Sequence, residues 1–209
     1  NPKKDSTLAM MIAAHKRNWQ VSVFTQSDLL VEDSHILIKR RQVTPADDPV
    51  NWFTVEAEDE VDGSFFDVIL MRKDPPFDME YIYATYLLEM IESAGTPVLN
   101  KPGSIRDCNE KLFALRFPQC VPHHIVSKDQ KKLREFHTRH GDVIYKPLDG
   151  MGGASIFRAR ENEPNLSVIV ETLTQHGQVQ TMAQKYIPEI VNGDTRILLI
   201  NGEPIPFGL

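Results

Sequence analysis

Apolar residues recur at Leu8, Met11 and Ile12, with His15 on the same side. That three-to-four spacing predicts an amphipathic helix over residues 6–18, with Asp5 or Ser6 capping its first turn. Residues 20–25 (QVSVFT) alternate as a strand does, and the apolar stretches 29–31 and 35–40 flank Glu32-Asp33-Ser34 in the manner of a hairpin. Val68-Ile69-Leu70-Met71 is a short unbroken apolar run after the Asp62-Gly63 turn signal, which predicts a strand covered on both faces. Pro75-Pro76 then breaks the chain ahead of a helix over residues 79–93. Its predicted buried positions are Ile82, Tyr83, Tyr86, Leu87, Met90 and Ile91, and Gly95 supplies the C-terminal stop. Pro97-Val98-Leu99-Asn100 reads as another buried strand. This alternation of strands and helices predicts a small α/β layer up to about Cys108.

The texture then changes. Residues 109–117 read as a short helix, and Ser127 as the cap of a charged helix that runs to His140 with Gly141 behind it. Residues 142–146 and 155–159 are predicted strands on either side of Gly150-Met151-Gly152-Gly153. A helix over 165–176 stops at Gly177, strands follow at 178–186 and 195–200, and Asn201-Gly202 is a two-residue hairpin signal. This half is predicted to be α+β, with antiparallel strands and packed helices. Ile205-Pro206-Phe207-Gly208-Leu209 resembles a strand still being laid down, and the first residue is Asn1. Because termini usually fall in polar, loosely held segments, the chain reads as an internal piece of a longer protein.

Composition narrows the function classes. With 29 acidic and 23 basic residues among 209, the net charge of −6 argues against broad electrostatic attachment to nucleic acid or an anionic membrane. No apolar run reaches membrane-spanning length and no signal peptide opens the chain. Cys108 and Cys120 alone give no disulfide framework, so a cytoplasmic setting is the default, and Cys108 is expected to be buried as a small hydrophobe. The seven histidines show no zinc-ligand spacing.

The most chemical stretch is Lys146-Pro147-Leu148-Asp149-Gly150-Met151-Gly152-Gly153-Ala154-Ser155. Its glycines can adopt positive φ and turn successive N–H groups toward one point, a nest for phosphate oxygens, while Lys146 at the preceding strand end supplies a compact positive charge. A strand follows the loop, whereas a Walker loop or a dinucleotide fingerprint leads into a helix. No His-Arg-Asp or Asp-Phe-Gly accompanies it, which removes a protein kinase. Taken alone, the loop is equally a hairpin whose glycines only permit a turn. Lys111, in Asn109-Glu110-Lys111, is a second cation for an α- or β-phosphate, or a solvated surface charge. In Ala183-Gln184-Lys185-Tyr186-Ile187-Pro188 the backbone can read an adenine edge while Tyr186 and Ile187 pack the base; otherwise the segment is an edge strand ending at Pro188.

Four segments together carry a resemblance: Met71-Arg72-Lys73-Asp74-Pro75-Pro76-Phe77-Asp78; residues 100–111 (NKPGSIRDCNEK); residues 146–157; and Asn192-Gly193-Asp194-Thr195-Arg196. Over essentially its whole length the chain resembles the prokaryotic-type glutathione synthetases of the ATP-grasp superfamily. The resemblance implies an open α/β, Rossmann-like N-terminal domain over residues 1–108, lacking its first strand. An ATP-grasp lid then spans 109–188, and 189–209 begin the central subdomain. It implies an ATP-dependent carboxylate–amine ligase that joins γ-glutamylcysteine to glycine through an acyl phosphate, releasing ADP and phosphate.

By the same resemblance Lys111 and Lys146 hold the ATP phosphates, Gly150, Met151, Gly152 and Gly153 form the loop over them, and Gln184, Lys185, Tyr186 and Ile187 form the adenine segment. Arg72 holds a carboxylate of the γ-glutamyl substrate, with Lys4 and Asp5 beside it. Asp194 and Arg196 lie near the reacting carboxylate, where Arg196 offsets developing charge. Mg²⁺ ligands are implied beyond Leu209 and none within residues 1–209, so this polypeptide alone is expected to be inactive. A homotetramer is implied too. The alternatives are another ATP-grasp ligase, such as one adding glutamate, or a nucleotide-binding module without chemistry.

Overall fold

The structure, a computed structural model, describes residues 5–48 and 50–208. Helix α1 (Ser6–His15) is capped by Asp5, whose carboxylate accepts the Leu8 N–H at 2.9 Å. It ends short of residue 18, where Asn18 turns to φ +59°. Strands β1 (Val21–Val23), β2 (Leu29–Glu32), β3 (His35–Pro45) and β4 (Phe53–Asp62) form an antiparallel sheet around β3. The first half of β3 pairs with β2, its second half with β1, and β4 runs along it from Leu37↔Asp62 to Pro45↔Phe53.

Strand β4 has no counterpart among the predicted elements. Its residues are mostly exposed, so the period-2 contrast of a half-buried strand is missing. Charge explains the pairing instead. The register sets Glu60, Asp59 and Glu58 against Lys39, Arg40 and Arg41. Arg40 is nearly buried and fully engaged: Nε and Nη2 donate to the two Asp59 carboxylate oxygens at 2.7 and 3.0 Å, and Nη1 donates to Ser22 Oγ at 3.1 Å. Its guanidinium also lies 4.2 Å from the centre of the Phe65 ring. A buried arginine is tolerable only with such partners.

Strand β5 (Ile69–Leu70) pairs in parallel with β6 (Val98–Leu99), and α2 (Met79–Ser93) makes the crossover. Ile36, Ile38, Ile69, Leu88, Ile91 and Val98 form the core here. Two predictions need correction. Only one face of the β5–β6 pair is covered: Ile69 and Val98 are buried, whereas Leu70 and Leu99 are about half exposed. The buried face of α2 is Tyr81, Ala84, Thr85, Leu88 and Ile91, while Tyr83, Tyr86 and Met90 face outward. Gly63 touches α2 so closely that a Cβ there would lie 2.6 Å from Ile91 Cγ1. After α3 (Pro102–Asp107), Cys108 is exposed rather than buried.

Residues 109–117, predicted helical, form a turn and a 3-10 segment (Phe113–Arg116) that ends just before Pro118. The N-terminal compact unit runs to Glu110 and takes in Asp149–Met151; the second comprises Lys111–Leu148 and the chain from Gly152 onward. In the second, β7 (His124–Ser127), β8 (Val143–Pro147), β9 (Phe157–Ala159) and β10 (Thr181–Lys185) make an antiparallel sheet in the order β7-β10-β8-β9. Helices α4 (Gln130–His140) and α5 (Leu166–Leu173) cover one face. Leu133, Phe136, Val143, Tyr145, Ala159, Val170 and Ala183 form that core.

The α4 cap is Asp129, which accepts the N–H groups of Lys131 and Lys132. Ser127 instead ends β7, which was not predicted, and its hydroxyl accepts the Asp129 N–H. Strands β11 (Ile197–Ile200) and β12 (Glu203–Gly208) form a hairpin through Asn201 and Gly202, both at positive φ as a two-residue turn requires. No described helix is long and apolar enough to cross a membrane.

Candidate nucleotide and carboxylate sites

The register of the second sheet sorts its side chains. Residues directly opposite one another share a face, and neighbours along a strand alternate. Val143, Tyr145, Ala159 and Ala183 therefore face α4 and α5. Lys146 opposes Met182, and Ile144 opposes both Gln184 and Arg158, so Lys146, Gln184 and Arg158 share the other face. The ladder continues one step past β10, where the Tyr186 N–H donates to the Asp142 carbonyl at 2.9 Å. Alternation brings Tyr186 and Asp142 to the same side as Gln184. Three of the predicted nucleotide residues, Lys146, Gln184 and Tyr186, thus fall on the single face that the helices leave uncovered.

Main-chain donors at this strand end are mostly used. The Lys185 N–H donates to the His123 carbonyl at 2.8 Å and the Tyr186 N–H is taken by Asp142. Ile187 N–H has no partner among the described residues, and its side chain is exposed. Lys185 alternates toward the helix side and emerges at the strand end, so its ammonium is not part of the shared face.

Lys111 lies in the turn before the 3-10 segment, not on a helix, and its Nζ donates to the Leu148 carbonyl at 3.1 Å. That carbonyl is two residues past Lys146, so the ammonium sits at the chain exit of β8. The following loop has the backbone its glycines predict: φ is +131° at Gly150, +66° at Gly152 and +79° at Gly153. Gly150, Met151, Gly152 and Gly153 are all exposed. A Cβ at Gly152 or Gly153 would meet nothing within 4 Å, so it is backbone conformation that favours glycine there.

In the N-terminal unit, Arg72 follows β5 and reaches the first turn of α1. Its Nη2 donates to Ser6 Oγ at 2.9 Å and its Nε to Thr7 Oγ1 at 3.3 Å. It does not pair with Asp74 among the described residues. Asp5 stands beside these hydroxyls with one carboxylate oxygen committed to capping; Lys4 lies outside the described residues. Asp194 and Arg196 occupy the exposed segment between a 3-10 turn (Pro188–Asn192) and β11, and neither is paired with a described residue. They are not brought to the other predicted residues by any described contact.

The sequence reading passed over two residues at the Tyr186 end. Arg158 Nε and Nη2 donate to Asp142 Oδ1 and Oδ2 at 2.9 and 2.6 Å, and the guanidinium carbon lies 3.5 Å from the Tyr186 ring centre. These hydrogen bonds hold the Asp142 carboxyl below the usual carboxylate range and raise the Arg158 pKa further. The arginine of β9 is visible in the alternation of residues 155–159, but its partner across the sheet requires the register.

Comparison with known proteins agrees with this architecture. Residues 1–106 match the family model described as prokaryotic glutathione synthetase, N-terminal domain, and residues 110–209 match its ATP-grasp domain. The glutathione synthetase of Pseudomonas syringae pv. tomato is 57% identical over 207 residues, covering 99% of this chain and 65% of its own length. That of Pseudomonas aeruginosa is 55% identical over 209 residues, covering 100% and 66%. The chain therefore spans about two thirds of the length of these relatives. Among solved structures, a D-cycloserine synthetase shares the fold with a TM-score of 0.54 at 18% identity, over 71% of this chain and 57% of that one. By the match of both its halves, the chain belongs to the prokaryotic glutathione synthetase family.

Proposed function

We propose that this protein is an ATP-dependent ligase that joins γ-glutamylcysteine to glycine. The observation that carries the reading is the common face of β8 and β10, where a lysine and the segment ending in Tyr186 lie together on the side of the sheet free of helices. A carboxylate is inert to amines at neutral pH, so it needs a leaving group before an amide can form. A cysteinyl carboxylate oxygen attacks the γ-phosphorus of ATP, the bond to the ADP oxygen breaks, and an acyl phosphate results. The glycine amine then attacks the acyl carbon, the carbon–oxygen bond to phosphate breaks, and the amine gives up a proton. The protein contributes positioning and charge neutralisation.

In this reading Lys111 and Lys146 hold phosphate oxygens, and residues 150–153 lie over them and keep water from the acyl phosphate. Gln184, Tyr186 and Ile187 meet the adenine, with the Ile187 N–H as the main-chain donor left over by the sheet; Lys185 belongs to the segment through its main chain, since its ammonium emerges on the helix side. Arg72, oriented by Ser6 and Thr7, takes a carboxylate of γ-glutamylcysteine with Asp5 and Lys4 beside it; Arg196 and Asp194 serve the reacting carboxylate. Residues 109–188 act as the lid, and 189–209 open the central subdomain. The family implies Mg²⁺ with ATP. Its ligands are expected beyond Leu209, and among the described residues no three His, Cys, Asp or Glu side chains gather.

A cytoplasmic homotetramer is part of the proposal. Met79, Tyr83, Tyr86 and Met90, all exposed on α2, follow the 4-3-4 spacing of a helix-pairing seam, which supports self-association. The deciding experiment is ADP release by the purified full-length protein, of which residues 1–209 are read as an internal piece, with each acceptor withheld in turn. Release that needs both γ-glutamylcysteine and glycine supports the assignment. Turnover with glutamate as the acceptor points to another ligase, and ATP binding without turnover to a module without chemistry.

A further inference from the structure

Arg158, Asp142 and Tyr186 come from three strands or strand ends and close a circuit of contacts. The Tyr186 main chain donates to the Asp142 carbonyl, the Asp142 carboxylate holds both donors of the Arg158 fork, and the Arg158 guanidinium covers one face of the Tyr186 ring at 3.5 Å. The bidentate pairing fixes the plane of the guanidinium, since two parallel hydrogen bonds leave it little freedom to rotate. The guanidinium in turn limits the ring. A tyrosine at a strand end otherwise swings about χ1 among staggered wells, and contact with a fixed cation selects one of them. Arg158 is exposed, while Asp142 and Tyr186 are partly buried, so the circuit lies at the surface and is held by its bidentate geometry.

From this geometry we infer that Arg158 is a positioning residue for the adenine base, bracing Tyr186 from one side so that the base meets the ring by its remaining face or its edge. The inference rests on the reading of residues 184–187 as the adenine segment. It adds a role for two residues that do not belong to that segment. The chemistry recognised is that of a nucleobase, not of the phosphates, which separates this role from those of Lys111 and Lys146.

The difference can be measured in the full chain by calorimetric titration with ATP and, separately, with inorganic tripolyphosphate, which has the same charge chain and no base. Arg158→Ala is expected to weaken ATP binding about three- to tenfold, the range of a single partly desolvated cation–π contact, and to leave tripolyphosphate affinity unchanged. Arg158→Lys keeps a cation but cannot make the fork to Asp142, and is expected to recover only part of the loss. In a Tyr186→Leu background, Arg158→Ala is expected to add nothing further for ATP.

Equal weakening of ATP and tripolyphosphate would assign Arg158 to general lid stability and overturn the inference. So would an unchanged ATP affinity, or full additivity with Tyr186→Leu. Should Arg158→Ala fail to fold, Arg158→Lys carries the same comparison. A wild-type chain that binds tripolyphosphate as tightly as ATP overturns the adenine reading itself, before any variant is compared.

Discussion

Lys146 and Arg72 are both cations next to the ends of strands, and the proposed function gives them different anions. Lys146 is a point charge on the face of β8 that also carries Gln184 and, one step beyond, Tyr186. Lys146→Ala is expected to weaken ATP binding by about an order of magnitude or more, on the order of 1.5–3 kcal/mol for a charge-assisted contact. Titration of the variant with ATP checks this, and unchanged affinity removes Lys146 from the site. Arg72 is a planar fork steadied by two hydroxyls on the first turn of α1. Arg72→Ala should raise the KM for γ-glutamylcysteine roughly tenfold or more while that for ATP stays within about twofold, because a carboxylate held bidentately loses two charge-assisted bonds. Arg72→Lys should recover little, since an ammonium cannot reproduce the fork. Equal changes in both KM values would make the arginine structural. Both cations stand out in the sequence because each follows an apolar strand and precedes a turn. The partners that orient them do not, since Ser6 and Thr7 are 66 and 65 residues from Arg72 along the chain.

Helix ends illustrate how local chemistry decides where an element begins. Ser127 and Asp129 both suit an N-cap, and the register of β7 with β10 decides between them: Ser127 is paired with Thr181 as strand, which leaves Asp129 to receive two N–H groups of α4. Asp129→Ala should therefore cost about 1 kcal/mol and lower the melting temperature by roughly 2–4 °C, whereas Ser127→Ala should cost less. Thermal melts of the two variants compare them directly, and a larger loss from Ser127→Ala would contradict the cap. The same logic separates the elements that were legible from those that were not. Helix α2 was legible in extent because Pro75-Pro76 before it and Gly95, which stops it, are local signals. Its buried face was not, because Ala84 and Thr85 carry little apolar signal, yet both are buried while Tyr83, Tyr86 and Met90 face outward. Strand β4 was invisible for the opposite reason: its residues are mostly exposed and carry no apolar period, and the charges it sets against β3 need the register to be seen. The glycine loop needed less context, as its composition already permits the positive φ observed at Gly150, Gly152 and Gly153.

Across the molecule, the titrating groups divide acid unfolding into two stages. Asp59, Asp62 and Asp142 are held below the usual carboxylate range chiefly by side-chain hydrogen bonds from Arg40, Ser64 and Arg158, respectively, and Asp48 by the N–H groups of Asn51 and Val50. A carboxylate with a depressed folded pKa contributes stability that is complete above its unfolded value, about 4, and that is lost as pH falls through the lower folded value. That stage belongs to strongly acid solution. His140 acts earlier. Burial lowers its pKa from the usual 6.5, and the positive charge that His123, Arg139 and Lys185 can present to it adds to the effect; its ring packs 4.3 Å from that of Phe136 and 5.3 Å from that of His123. Because the folded state resists protonating this ring, the unfolded state binds more protons once pH drops below about 6.5. His140 should therefore contribute a decline in stability as pH falls below about 6.5, and the carboxylates a further one below about 4. Urea unfolding of His140→Gln across this range isolates the first stage. The variant should lose the decline between pH 6.5 and 5 and keep the one below 4, and a profile parallel to that of the wild type throughout would show that the stacked histidines are not its source.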